Sequence, residues 1–453
     1  MVFEPSVYTE FRFLSATLNA HDFSVRFEYS LVGEDSTEHF SESIAFTPVR
    51  ASHEVDWPRV RGLIVILGAA LGLSYFKAAA PSRYVIELEG MTQAGVDYLG
   101  ELITHGMAEF AYRNELPEPL HPEIVLTAGV APAWPAEDHL TPSGDPLVPI
   151  GGGKDSVVSV ELLAAARMHP VQFGVNPNKI MYRVGRIKGH PVLAATRELD
   201  TRIMELNEAG ALNGHVPVTA MNSLIALVQA RIIGLGPVVM SLEASASEPT
   251  LWWGDMPVNH QWSKSEVAEE LLQDMLGPQA GLSAGSYFSL LRPYSEIQIA
   301  RYFAALSEYH PVITSCNRAF RRGVEDARWC GDCDKCRFIF LILSPFIPAT
   351  SLTRMFADNL LDNPSQLEGY RALLGLHEHR PFECVGEQAE SMLALHWVAM
   401  AEEWKNTAVV KALVAEIPEL LVPHPELEVQ VLGHRESELA MPGGYHTLGQ
   451  VLA

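Results

Sequence analysis

The run GGGKDS, Gly151 to Ser156, lies between an apolar segment and a helical one, and this placement constrains the chain more than any other feature. Consecutive glycines let backbone amides approach an anion with no Cβ in the way. A helix that starts directly after them aims its unpaired N–H groups at the same point. Leu147 to Ile150 reads as the strand before the loop and Val157 to Met168 as the helix after it. Strand Val171 to Val175, a helix from about Ala220 to Ile233 and strand Val238 to Leu242 continue the alternation, with Gly234, Gly236 and Pro237 marking the last connection. Short strands alternating with helices predict an α/β parallel sheet.

A Walker loop would need glycine at Val148 and Ser or Thr at Asp155, so the run is not one. It resembles instead the SGGxDS signature of the N-type ATP pyrophosphatases, with Gly151 where serine is usual. The resemblance implies a PP-loop, HUP-like domain that binds ATP through Gly151, Gly152, Gly153, Lys154, Asp155 and Ser156. Lys154 would neutralise developing charge, and Asp155 would hold Mg²⁺ or start the helix. Ligands of parallel sheets bind beyond the carboxyl ends of strands. Asn176, after the second strand, is therefore an expected cofactor contact, and Glu243, Glu248, His260 and Lys264, after the Val238 to Leu242 strand, are expected substrate contacts.

Four of the five cysteines, Cys316, Cys330, Cys333 and Cys336, fall in one window ending in CxxCxxC. Thiolates so spaced can enclose one tetrahedral ion, the form of a structural Zn²⁺ site. An iron–sulfur cluster is the rival, although a ferredoxin-type run would continue with cysteine where Phe340 stands. Cys384, in PFECVG, lies apart and reads equally as a buried or a functional thiol.

Before the loop the chain changes character. Phe23, Val25, Phe27, Tyr29 and Leu31 alternate with polar residues, Gly33 to Asp35 supply a turn, and Phe40, Ile44 and Phe46 follow in a second run, which predicts an antiparallel hairpin. The apolar stretch Gly62 to Phe76 is shorter than a membrane span and reads as a buried helix. Prolines between Pro132 and Pro149 suggest a linker, and helical character dominates after about residue 345. The expected units are an N-terminal α+β domain (1–142), the nucleotide domain with its cysteine site (143–344) and a mainly helical C-terminal segment (345–453). A formal charge of -23 disfavours a nucleic-acid partner. The N-terminus lacks the pattern of a signal peptide, and the clustered cysteines suit a reducing, cytoplasmic setting without membrane association.

The loop and cysteine spacing resemble 7-cyano-7-deazaguanine synthase over about residues 145 to 340. A tRNA-thiolating pyrophosphatase is a further alternative, poorly matched by the acidity. Over almost the whole chain, PIGGGKDSVVS, LNGHVPVTAMNSL, SLEASASE, VNHQWSKS, RPYSEIQIARYF, SCNRAFR, WCGDCDKCRFIFL and RPFECVGEQAES resemble the UDP-N-acetylmuramoyl-L-alanyl-L-glutamate epimerase family, MurL. That resemblance implies an isomerase of peptidoglycan precursor synthesis that inverts the terminal L-glutamate of a UDP-N-acetylmuramoyl-dipeptide. ATP would become AMP and pyrophosphate through an acyl-adenylate, and the enzyme would work beside a D-glutamate-independent muramoyl-peptide ligase. Lys154 and Asp155 would serve activation. Cys384 is the thiolate candidate for moving the α proton, with Glu383, His260 and Lys264 as competitors, while Arg318, Arg321 and Arg322 could meet phosphate or carboxylate.

Overall fold

Alternating apolar residues at the start of the chain build a meander rather than a lone hairpin. Strands β1 (Tyr8–Asn19), β2 (Ser24–Gly33) and β3 (Thr37–Ala45) pair antiparallel in sequence order. Phe11, Phe13, Phe27, Tyr29, Leu31, Phe40 and Ile44 fill one buried face. A computed structural model describes residues 2–48, 53–320, 328–376, 381–433, 435 and 437–453. Strand β4 (Arg83–Ile86) adds parallel to β1, and β5 (Glu123–Leu126) adds parallel to β4.

The loop region supplies β6 (Leu147–Pro149), β7 (Val171–Val175), β8 (Val192–Glu198) and β9 (Val238–Met240). A separate ribbon of β10 (Leu251–Trp253) and β11 (Met256–Val258) follows, and β12 (Tyr287–Ser289) completes the set. These parallel strands lie in the order β12-β9-β6-β7-β8. The order reverses between β6 and β9, the type of crevice where doubly wound sheets bind ligands. The glycine loop follows β6 and so opens into that crevice.

Strand β8 pairs antiparallel with β3, Ile44 opposite Arg197, so a single mixed sheet of ten strands crosses residue 142. An ion pair between Arg197 and the fully buried Glu42 lies at this junction, with Arg197 Nη2 also 3.0 Å from Ser74 Oγ. After residue 345 the described residues form helices and no strand. They pack in one apolar cluster with Val157, Val158 and Leu163 of the helix after the loop.

Helix Trp57–Phe76 has the apolar run buried against the meander. By length and composition it alone, among the described residues, could cross a membrane, yet 83% of its most apolar window is buried inside the protein. Its glycines permit the close approach. A Cβ on Gly68 would lie 2.3 Å from Phe13 Cζ and 2.8 Å from Phe27 Cδ1. Tyr29 and Tyr84 donate hydroxyl hydrogen bonds to Gly68 O and Ala69 O at 2.8 and 2.7 Å. Replacing Gly68 by Val is expected to overpack this layer and lower unfolding stability by about 1–3 kcal/mol. Urea unfolding of Gly68→Val should move the midpoint down with the slope unchanged, and an unshifted midpoint would show that the layer is not close-packed.

Candidate active site

Strand β6 ends at Pro149, and the glycines turn the chain straight into helix Lys154–Ala165. Gly152 has φ +84°, and a Cβ there would lie 2.9 Å from Ile180 Cγ2. Glycine meets both demands. Gly153 caps the helix, Thr314 N–H donates to Gly152 O at 3.0 Å, and Ser156 is buried in the first turn.

Lys154 is 1% exposed and ion-pairs with Asp155 and with Glu296, the first residue of helix Glu296–Ala304. Burial opposes its charge, but these carboxylates outweigh burial and hold its pKa above the ordinary lysine value. Glu296 is pulled the other way. Burial would raise its carboxyl, and Lys154 followed by Lys335, 3.7 Å away, bring it below the ordinary value. Its backbone N–H donates to Glu390 Oε1 at 2.7 Å. Glu390, buried near Glu296 and Glu387, is pushed up to about 8. Glu243 is pushed up to about 7 by burial and then by the charges of Glu296 and Asp155.

Cys384 enters from the C-terminal segment and is pinned on both sides. Glu383 Oε2 accepts from Lys335 N–H at 2.9 Å, and Val385 O accepts from Gln261 Nε2 at 3.2 Å. Lys264 Nζ lies 3.0 Å from Cys384 Sγ. Burial would raise the thiol, but Lys264 and then His260 pull it down to about 6. Arg292, closed by Glu269 at 2.7 Å, donates to Lys264 O and Glu243 O, each at 2.8 Å. One buried cation thus sets the main chain of both residues.

The N-terminal region reaches the same point. His260, just past β11, has Nδ1 2.5 Å from Glu109 Oε2, and Glu109 lies on helix Ala108–Arg113. His215 Nδ1 is 3.8 Å from the same oxygen. Burial lowers His260, yet the neighbouring Cys384 thiolate and Glu109 raise it to about 9. His215 falls to about 4, by burial and then by the charge of His260.

Cys316, Cys330, Cys333 and Cys336 have their sulfurs within 4.8 Å of one another. Cys316 to Cys333 is 3.9 Å and Cys330 to Cys336 is 3.7 Å. Sulfurs bound to zinc at ~2.3 Å in a tetrahedron lie ~3.8 Å apart, so the donor set fits that ion.

The remaining expected contacts have the following surroundings. Asn176, exposed and at φ +47°, spends its side chain on Arg197, accepting from its N–H at 2.8 Å and donating to its O at 2.7 Å. Glu248 lines a surface cavity with Glu387, Met392 and His424. Arg318 pairs with Asp332 at 3.1 Å, and Arg321 and Arg322 lie outside the described residues.

Two family models cover most of the chain: the MurL N-terminal domain matches residues 2–290 and the MurL C-terminal domain matches residues 312–428. The chain belongs to the MurL family. Three relatives carry the description UDP-N-acetyl-alpha-D-muramoyl-L-alanyl-L-glutamate epimerase. The Salinispora tropica protein is 46% identical over 90% of this chain and 89% of its own. The Micromonospora sp. protein is 44% identical over 90% of this chain and 91% of its own. The Xanthomonas oryzae pv. oryzae protein is 40% identical over 84% of each.

In this MurL-family chain, reading strands and loops in order missed Glu109, His215, Arg292, Glu296, Lys335 and Glu390. Five of these lie inside segments that carry the family resemblance; Glu109, in the ordinary-looking AEFAYR, does not. The thiol environment is directly measurable. Peptide-resolved iodoacetamide labelling should give Cys384 a midpoint near pH 6. Lys264→Met should move it up by about one unit or more, and a midpoint in the ordinary thiol range in the unmutated chain would show that Lys264 does not act on it.

Proposed function

We propose that this chain is an ATP-dependent, AMP-forming epimerase that inverts the terminal L-glutamate of UDP-N-acetylmuramoyl-L-alanyl-L-glutamate. The observation that carries the reading is a convergence. A glycine loop with Lys154 and Asp155 shares one field of buried charge with a lysine-paired thiol, since Asp155, Glu243 and Cys384 all act on Lys264. The relatives described as this epimerase supply the substrate.

The chemistry explains why both halves are needed. A free carboxylate resists loss of its α proton, because the carbanion would form beside an existing negative charge. Joining the carboxylate to AMP removes that charge and lets the electron pair delocalise as an enolate. Lys154 meets the phosphates at the helix N-terminus as pyrophosphate leaves, and Asp155 is the loop carboxylate available to the Mg²⁺ that accompanies ATP. Cys384, ionised beside Lys264, takes the α proton. Hydrolysis after reprotonation releases the D-glutamyl product.

The site draws Glu109 from 1–142, His260 and Lys264 from 143–344 and Cys384 from 345–453, so all three segments serve it. A Zn²⁺ ion held by Cys316, Cys330, Cys333 and Cys336 would tie the turn after Thr314 to helix Asp334–Leu343, whose Lys335 holds Glu383. An enzyme that uses a nucleotide-linked substrate and ATP would work in the cytoplasm. The product would serve a precursor pathway whose D-glutamate-independent ligase adds L-glutamate.

The test is incubation with ATP, Mg²⁺ and the UDP-muramoyl dipeptide in D₂O. AMP release, α-deuterium and D-glutamate in the product are expected together. AMP without α-deuterium would keep carboxylate activation and remove epimerisation, and no AMP would remove the muramoyl substrate. Lys154→Ala should lower AMP release by roughly 10²-fold or more. Metal analysis should find zinc equimolar with the chain, lost in Cys336→Ser together with thermal stability; iron and sulfide instead would replace zinc by a cluster.

A further inference from the structure

His260 holds a position that proton abstraction by Cys384 alone does not explain. Its Nδ1 is taken by Glu109 Oε2 at 2.5 Å, which leaves Nε2 as the free ring nitrogen, and the bond from the next residue, Gln261, to Val385 O at 3.2 Å brings the His260 and Cys384 segments together. Glu109 is 3% exposed and bonded also by Arg113 Nη1 at 3.2 Å. A buried carboxylate on Nδ1 fixes the ring and favours the imidazolium. Lys264, on Cys384, favours the thiolate. Thiolate and imidazolium are therefore neighbours in opposite protonation states.

Inversion at a carbon needs a base on one face and an acid on the other. Resting on the reading of Cys384 given above, we propose that His260, positioned by Glu109, is the second proton-transfer group: the Cys384 thiolate takes the α proton from one face, and the His260 imidazolium delivers a proton to the other. The C–H electron pair enters the enolate of the acyl-adenylate as the S–H bond forms. The Nε2–H bond then breaks, and its proton makes the new C–H bond. Cys384 is left as thiol and His260 as neutral imidazole. Transfer of the proton from Sγ to Nε2 once the product has left restores the starting pair, so no outside acid or base is consumed. The α carbon must lie between Sγ and Nε2 during the two transfers.

The charged neighbours of the pair are Glu109 and Arg113 from helix Ala108–Arg113, Lys264 from the turn after β11, and Lys335 beside Cys384, and the titratable His215 from the loop before helix Val218–Ile233, neutral above about 4, faces it too. Lys77 faces His215. Below about 6 the thiol keeps its proton and the base is lost; above about 9 the imidazolium is discharged and the acid is lost. The kcat/KM profile should rise through the first value and fall through the second.

The deciding experiment uses the full-length, zinc-loaded protein in D₂O with ATP, Mg²⁺ and each UDP-muramoyl dipeptide epimer. His260→Asn should release AMP and place deuterium on the α carbon of L-glutamate with configuration retained, while inversion falls by about 10²-fold or more. Cys384→Ala should give the mirror result, exchange with retention in the D-epimer. Glu109→Gln should lower the upper limb of the pH profile toward the ordinary histidine value, and Glu109→Asp should restore it in part. Inversion by His260→Asn at the unmutated rate, loss of exchange along with inversion in that variant, or a Glu109→Gln profile with unmoved limbs would each overturn the assignment. Failure of the unmutated protein to incorporate α-deuterium would remove the epimerase reading itself, a separate result.

Discussion

The buried charge of Glu296 is the point from which the site is organised. Its carboxylate meets Lys154 of the glycine loop and Lys335 of the helix bearing Cys336, and its backbone amide meets Glu390 of the C-terminal segment. Each contact joins a different stretch of chain. Taking such charges out of water costs several kcal/mol per ion, and mutual attraction repays this only when every partner is present. Removing one partner of a buried pair typically costs ~3–5 kcal/mol, because the other is left uncompensated. The network is therefore a poor source of stability and a strong source of register. It fixes where the loop, the cysteine helix and the Cys384 segment stand relative to one another.

Much of this was legible in the residues, and the part that was not has physical reasons. The alternation in β2, the glycine loop and the cysteine spacing are local patterns, so they could be read without a fold. Strand β1 escaped because register shifts at Tyr8/Glu10 and Phe13/Ser15 break its period, as bulges do. The pairing of β3 with β8 escaped because an edge strand carries no mark of the strand it will meet. Asn176 read as a cofactor contact from its place after a strand, and its left-handed backbone and two hydrogen bonds to Arg197 were not legible there. Cys384, His260 and Lys264 were each visible as candidates, yet nothing in the sequence places Cys384 3.0 Å from a lysine 120 positions earlier. Glu109 is the clearest case. On a short helix it reads as a solvated acid, and only the fold buries it against two histidines.

The balance of charge in the site also bears on how an acidic protein would receive the polyanions of the proposed reaction. The chain carries -23, a field that opposes nucleotide phosphates at long range. Lys154, Lys264 and Lys335 are concentrated at the crevice, but each is already matched, by Asp155 and Glu296, by the Cys384 thiolate, and by Glu296 again. Burial pushes the carboxyls of Glu243 and Glu390 up to about 7 and about 8, which reduces the negative charge they add. Their raised values mean that their contribution to folding stability is present at low pH and is lost as pH climbs through that range. A field so close to neutral neither collapses the lysines onto one another nor leaves them free to wander. In the proposed reaction, phosphates arriving with their own cation would replace carboxylates around Lys154 instead of meeting bare ammonium groups. The lysines are thus held in place before the ligand comes, and little reorganisation is left for the chemical step.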